Sequence, residues 1–170
     1  ASLSGKALHS KKNHLNKFLK RYPEHTVEPV SSENFSDCLA VNQMWCRKRR
    51  EADPAAPHCE NDGEFCAVKR TLAHYDELGC RGILLRIEGK PVAFTIGTPV
   101  RDNLFVTHFE KALTEYQGAF AAVNYFFAQE LTRYQYINRE EDMGIEGLRK
   151  AKLSYCPAIL YRKYHAKILS

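Results

Sequence analysis

The sequence predicts one α+β domain, a three-layer sandwich in which a central mixed, mostly antiparallel sheet is flanked by helices. Three observations predict it. Apolar residues recur at helical spacing in several separate segments, which marks helices with one buried face each. Between residues 82 and 109 the pattern changes to short apolar runs joined by turn residues, the mark of a strand meander. A chain of 170 residues, 44% hydrophobic and 26% charged, is long enough for one proper core and has the composition of a folded protein.

The elements follow in order. Residues 11–22 place Leu15, Phe18, Leu19 and Tyr22 on one face among lysines, so a basic amphipathic helix is expected, with 1–23 as a linker helix and 24–170 as the domain. Thr26 to Val30 reads as a strand. Ser31 or Ser32 is placed to cap a helix carrying Cys38, Val41 and Trp45 on its inner face. A Pro-rich, acidic loop over 52–62 separates it from a helix with Phe65, Val68, Leu72 and Tyr75 at helical spacing and Gly79 at its C-cap. Gly82 to Ile87 and Pro91 to Thr98 form a hairpin around Gly89, and Leu104 to Phe109 adds a third strand. A strongly apolar helix follows over Gly118 to Arg133, its stripe Phe120, Val123, Phe127 and Leu131 reading as core. Tyr134 to Asn138 is a strand, Ile145 to Ser154 a short helix, and Ala158 to Tyr164 a last strand.

No apolar run approaches the roughly 18 residues that a membrane-spanning helix needs, and residues 1–20 are basic without the apolar centre of a signal peptide. A cytoplasmic location without an integral membrane segment is therefore expected. Six irregularly spaced cysteines in a chain this large are expected as reduced thiols. His58, Cys59 and Cys66 share one loop, but without a tight ligand pair no metal site is expected. The net charge of +5 is concentrated in Lys6, Lys11, Lys12, Lys17, Lys20 and Arg21 and in the run Arg47 to Arg50. Such clusters suit a phosphate-rich partner such as RNA, and equally suit an ordinary basic surface or the dipole at a helix end.

The element order is similar to the N-acetyltransferase-like (GNAT) fold, in which the sheet splays between its fourth and fifth strands and the acyl donor lies in the opening. The stretches Gly82-Ile83-Leu84-Leu85-Arg86, Val92-Ala93-Phe94-Thr95-Ile96-Gly97, His108-Phe109-Glu110-Lys111-Ala112, Tyr136-Ile137-Asn138-Arg139-Glu140-Glu141-Asp142 and Glu146-Gly147-Leu148-Arg149-Lys150-Ala151-Lys152-Leu153-Ser154-Tyr155 carry a closer likeness. They resemble a bacterial family whose named relatives are the catalytic domains of phosphatidylglycerol lysyltransferases, over about Lys11 to Lys163. Members of that family carry a second GNAT-like half upstream, so the resemblance implies a partner half beyond this chain. Gly147-Leu148-Arg149, then Lys152, Tyr155 and Pro157, is similar to a series found in enzymes whose donor is aminoacyl-tRNA. By that likeness Lys152 faces the donor's phosphate or carbonyl, with Tyr155 beside it; the plainer alternative makes Lys152 a solvated helix residue.

The resemblance therefore implies an acyl or aminoacyl transferase with an amine or hydroxyl acceptor, with tRNA as a partner and with no bound cofactor required. Acetyl-coenzyme A is the less favoured donor. Ordinary acetyltransferases cradle its pyrophosphate on a glycine-rich turn opening the long helix. Here Glu115-Tyr116-Gln117-Gly118-Ala119-Phe120 stands in that place, with a carboxylate where a cation or amide is wanted, although Gln117, Gly118 and Ala119 still permit the approach of a phosphate.

Acyl transfer needs a base and donors for the developing oxyanion. His108 and Glu110, two apart on a strand, are expected on one side with Lys111 on the other. Glu110 is the first choice of base and His108 the second, with a backbone N–H near Lys111 as oxyanion donor. The alternative is that both side chains hydrogen-bond within the sheet. Asn138, Arg139 and Glu141 end the next strand and are candidates for substrate recognition, or else belong to a solvated loop in which Asp142 caps the following helix. A non-catalytic RNA-binding or architectural half of a tandem protein is the alternative function.

Overall fold

The computed structural model describes residues 3–54, 63–162, 164 and 166. Among the described residues five α-helices and five strands follow a short 3-10 turn at Lys6–Leu8: α1 (His9–Arg21), β1 (His25–Pro29), α2 (Phe35–Ala52), α3 (Gly63–Ala73), β2 (Arg81–Ile87), β3 (Lys90–Arg101), β4 (Leu104–Ala112), α4 (Ala119–Glu130), β5 (Tyr136–Asn138) and α5 (Glu146–Leu153). The strands form one sheet in the order β1-β2-β3-β4-β5. The first three pairings are antiparallel and the last, β4 with β5, is parallel. The expected mixed, mostly antiparallel sheet between helical layers is what forms.

Each face of the sheet is covered. Ile83, Leu85, Ala93 and Phe105 pack with Leu15 and Phe18 of α1 and with Ala122, Val123 and Phe127 of α4. Leu84, Phe94 and Ile96 pack on the other face with Cys38 and Val41 of α2 and Val68 and Leu72 of α3. That double cover explains why Ile83, Leu84 and Leu85 are all apolar in succession, since adjacent residues of a strand feed opposite layers. The helix anticipated as a linker packs within this unit: Phe18 is fully buried in the same core as α4.

Two glycines set the geometry. The β2–β3 hairpin turns through Glu88 (φ 51°) and Gly89 (φ 75°), with Ile87 opposite Lys90, the two-residue turn with both central residues left-handed that matches strand twist. Gly118 (φ 89°) starts α4, and a Cβ built there would meet His14 O and Phe18 Cβ at 3.0 Å each. The absence of a side chain lets α1 lie directly on the turn.

Three expectations fail. Residues 158–162 form no strand, and Ile159, Leu160 and Tyr161 are exposed, so the apolar run has no neighbour to pair with among the described residues. At the start of α2 neither Ser31 nor Ser32 caps: Asn34 holds the N-cap position, and its Oδ1 accepts the Ser31 N–H. Cys46 takes part in a disulfide, whereas Cys38, Cys66, Cys80 and Cys156 are not disulfide-bonded. His58 and Cys59 lie outside the described residues; among those described, no group of three or more His, Cys, Asp or Glu is arranged to hold a metal ion. No described helix is long and apolar enough to cross a membrane.

Candidate active site at the opening between two strands

The parallel pair β4–β5 is short. Leu104, Phe105 and Val106 lie opposite Tyr136, Ile137 and Asn138, and there β5 ends while β4 runs on to Ala112. The chain leaves the sheet because Glu140 adopts φ 56°, a left-handed conformation that cannot continue a strand and costs about 1–2 kcal/mol for a residue with a Cβ. Asn138 offsets part of that cost by accepting the Glu140 N–H on Oδ1 at 2.8 Å. The outer edge of β4 from Thr107 onward is thus one wall of an opening, and residues 139–142 are the other.

On that wall, Leu113 N–H bonds Val92 O, with Ala93 opposite Ala112 and Phe94 opposite Lys111. By the alternation of an antiparallel ladder, the N–H of Lys111 then points toward β3, and those of Glu110 and Ala112 point toward the opening. The Lys111 side chain lies on the opposite face of the sheet, as anticipated: it is buried, its ammonium 3.6 Å from the Trp45 ring centre and 2.8 Å from Glu64. It is therefore remote from the donor-binding role considered for it.

Glu110 and Arg139 meet across the opening. Arg139 Nη2 donates to Glu110 Oε1 at 2.6 Å, and Asn124 of α4 donates to Glu110 Oε2 at 3.1 Å. Only 14% of the Glu110 side chain and 25% of the Arg139 side chain is exposed, so this pair is far less screened than a surface ion pair. The Arg139 Nη1 atom is buried and has no hydrogen-bond partner.

Around Arg139 stands a cationic cluster. Lys152 of α5 donates to the backbone carbonyls of Arg139 at 2.5 Å and Glu141 at 2.6 Å, so it braces the loop that follows β5. The ring of Tyr155 lies 4.8 Å from the Arg139 guanidinium carbon and 4.5 Å from the Lys11 ammonium of α1. Burial, and then the positive charge of Arg139, pull the pKa of both Lys11 and Lys152 below the usual lysine range. Burial raises that of Tyr155. Among the described residues no carboxylate is within ion-pair distance of Lys11 or Lys152, which leaves the cluster with more positive than negative charge. Beyond it, Asp142 accepts from Arg149 Nε at 2.6 Å and from the Gly144 N–H at 2.9 Å. Those bonds, the Arg149 one foremost, hold the Asp142 carboxyl down at about 2.

His108 does not share Glu110's partners. Ile96 lies opposite Phe109 and Gly97 opposite Thr107, so His108 is the extra residue of a bulge in β4. The bulge breaks the alternation on which a common face for 108 and 110 depended. Glu110 reaches α4. His108 Nε2 instead lies 2.8 Å from Thr98 Oγ1, on the face of Phe94 and Ile96, and its Nδ1 is 2.8 Å from Glu140 Oε1.

The turn before α4 is occupied by the protein's own groups. Glu115 pairs with Lys48 at 2.5 Å, Gln117 Oε1 accepts from Arg21 at 3.3 Å, and Gly118 is covered by α1. The Ala119 N–H donates to Tyr116 O at 3.0 Å, and Ala119 itself is buried. None of these contacts of Gln117, Gly118 and Ala119 is to Arg139 or Lys152. The structure brings together Glu110, Asn138, Arg139, Lys152, Tyr155 and the backbone of Glu141, and adds two groups that sequence reasoning missed, Lys11 and Asn124, while Thr98 joins His108 instead.

A five-stranded mixed sheet between helices, opening beside its fourth strand, defines the GNAT-like class of acyltransferase folds. A ribosomal-protein-alanine N-acetyltransferase of Brucella melitensis biovar Abortus shares it at a TM-score of 0.59, with 10% identity over 85% of this chain and 99% of that one. More specifically, the model of the family "Phosphatidylglycerol lysyltransferase, C-terminal" matches residues 1–167, and the chain belongs to that family. L-PGS from Bacillus licheniformis superposes with a TM-score of 0.61, at 18% identity over 92% of this chain and 53% of that chain. A conserved protein of unknown function from Bacteroides thetaiotaomicron is 40% identical, with a TM-score of 0.85 over 94% of this chain and 53% of its own. An uncharacterised protein of Mycoplasmoides gallisepticum is 25% identical over 99% of this chain and 53% of its own length. The chain thus spans about half the length of these longer relatives.

Proposed function

We propose that this domain transfers an acyl group, and specifically an aminoacyl group delivered on tRNA, to an amine or hydroxyl acceptor. One observation carries the reading: the Arg139 guanidinium sits at the strand opening with one nitrogen fixed by Glu110 and the other buried and unpartnered, beside Lys11 and Lys152. A phosphate or carbonyl oxygen entering the opening supplies the missing acceptor, and in a partly desolvated site each such charge-assisted bond is worth more than at the surface. Glu110 then acts by holding Arg139, and the N–H groups of Glu110 and Ala112 face the acyl oxygen.

The family name and the name of the Bacillus neighbour support aminoacyl transfer. The turn at 115–119 supports a donor other than coenzyme A, because its carboxylate, glycine and Ala119 N–H are already engaged within the protein. The test is incubation of the domain, alone and joined to the other half of a full-length relative, with labelled aminoacyl-tRNAs and with acetyl-coenzyme A. The expected result is deacylation of an aminoacyl-tRNA that falls about 100-fold or more in Arg139→Met. Equal turnover in Arg139→Met, or deacylation of coenzyme A alone, overturns the reading.

A further inference from the structure

We propose that the solvent face of α1 is the docking surface for the acceptor-stem duplex of the tRNA, laid along the helix so that its single-stranded end enters the strand opening past Lys11. The proposal rests on the acyl-transfer reading and adds to it the place and direction of the partner. Charge distribution is the first support. Of the 25 Lys and Arg residues, six (Lys6, Lys11, Lys12, Lys17, Lys20 and Arg21) come before Glu24, the first acidic residue, which leaves 19 against 20 acidic residues in the rest of the chain. The net charge of +5 therefore belongs wholly to the segment built around α1. Cations gathered along one helix are the electrostatic footprint of a polyanionic partner.

Folding does not account for these cations. Lys11 and Lys12 stand in the first turn of α1, where the helix dipole disfavours positive charge, and the helix holds no acidic residue to pair with them three or four positions on. Lys17 meets Lys20 and Arg21 at those spacings, like charge against like charge. Only Lys20 and Arg21, in the last turn, suit the dipole. Lys12, Lys17 and Lys20 are exposed and enter no ion pair among the described residues. The apolar side of the same helix is already used, with Leu15 and Phe18 buried against the sheet and α4. A helix that settles on a lipid surface needs its apolar face for insertion, so this arrangement favours a hydrophilic polyanion over a membrane.

The two ends of α1 set the direction. Near its start, the Lys11 ammonium and the Arg139 guanidinium both lie on the Tyr155 ring, 4.5 and 4.8 Å from its centre, so this end of the helix meets the opening. At the other end, Arg21 donates to Gln117 Oε1 at 3.3 Å in the turn before α4. The 13 residues of the helix cover about 20 Å. Phosphates of a duplex lying there meet Lys12, Lys17 and Lys20, while the unpaired end passes Lys11 to the buried, unpartnered Nη1 of Arg139. Contacts to phosphates carry no base sequence, so α1 recognises the shape and charge of a duplex end and leaves the choice of acyl group to the opening.

The test is fluorescence-polarisation binding of the whole chain to a labelled RNA hairpin that ends in single-stranded CCA, over a series of salt concentrations. Joint replacement Lys12→Gln, Lys17→Gln and Lys20→Gln is expected to weaken binding about 10-fold or more at low salt. It is also expected to flatten the slope of log affinity against log salt by about 2–3, since each phosphate contact contributes about 0.9. Lys12→Arg, Lys17→Arg and Lys20→Arg together restore both. The urea midpoint of the Gln variant is expected to equal or exceed that of the wild type, because like charges are removed, so lost binding is not lost folding. Lys69→Gln, Lys90→Gln and Arg101→Gln together remove as many exposed charges from α3 and β3 and are expected to change binding by no more than about twofold. No binding of the hairpin by the wild type, equal binding by the Gln variant, an equal loss in the α3 and β3 control, or binding of phosphatidylglycerol vesicles in place of the hairpin overturns the proposal. Binding needs no turnover, so the two readings fail separately. Hairpin binding that depends on α1 without deacylation of any donor removes the acyl-transfer reading alone, and aminoacyl-tRNA turnover with the same KM in the Gln variant removes the α1 surface alone.

Discussion

Replacing Arg139 by Met removes the cation that faces Glu110 and leaves that carboxylate, 14% exposed, with Asn124 as its partner. The magnitude follows from the geometry. Two unit charges about 4 Å apart at an effective dielectric constant near 20 attract by about 4 kcal/mol, and desolvation of the partly buried groups removes roughly half of it. A coupling of about 2 kcal/mol is expected from the double-mutant cycle of Arg139→Met with Glu110→Gln, measured by urea unfolding. With a denaturant slope of about 2 kcal/mol per molar, Arg139→Met alone lowers the midpoint by about 1 M. The Glu146–Lys150 pair provides an internal standard, since its side chains are 79% and 74% exposed and its coupling is expected at about 0.3–0.5 kcal/mol. A Glu110–Arg139 coupling no larger than that of the standard refutes the claim that the opening holds a desolvated, preorganised ion pair.

Three further outcomes are expected. Phe18→Ala empties a fully buried site between α1, the sheet and α4 and destabilises the domain by about 3–5 kcal/mol in thermal or urea unfolding; a loss under 1 kcal/mol would show α1 to be an ornament rather than core. Asp142, depressed to about 2 from an ordinary 3.8 by Arg149 and the Gly144 N–H, favours the folded loop above pH 3.8, and that contribution disappears as pH falls through 2. Amide protection at Gly144 and Arg149 is therefore expected to decline between about pH 4 and 2 in the wild type and to be low at every pH in Asp142→Asn. Lys152→Met takes the donor away from the Arg139 and Glu141 carbonyls, so hydrogen exchange across 139–144 is expected to speed up at least 10-fold while that of β2 and β3 is unchanged. Unchanged exchange in 139–144 contradicts the bracing role.

Much of the fold was legible because its signals are local. Gly89 marked the hairpin, the stripe through Val123 and Phe127 marked α4, and Leu15 with Phe18 marked the buried face of α1. The last strand was not legible as absent: Ala158-Ile159-Leu160-Tyr161 has strand composition, and composition does not reveal whether a partner edge lies alongside. In the site, Glu110, Arg139, Lys152 and Tyr155 were legible as polar residues at strand and helix ends. Lys11 was not, and neither was the meeting of Thr98 with His108. A regular two-residue turn at Asp102-Asn103 sets Thr98 opposite Thr107, but register shifts between Pro99 and Arg101 and between Ile96 and Gly97 put it opposite Val106 and within reach of His108. Bulges have no local sequence rule strong enough to be read in advance. Lys11 belongs to the site through the packing of α1 on Gly118, a contact with residues 100 (Phe18) and 104 (His14) positions away in sequence at which only the glycine hints.

The central claim is that the edge of β4 beyond Val106 and the loop beyond Asn138 enclose the reacting group. A crystal structure with a hydrolysis-resistant aminoacyl-adenosine phosphate tests it most directly. The expected complex has the phosphate on Arg139 Nη1 and the Lys11 ammonium, with the carbonyl oxygen at the N–H groups of Glu110 and Ala112. A complex in which the ligand lies outside this opening, or in which residues 139–142 pair along β4 and close it, would contradict the account.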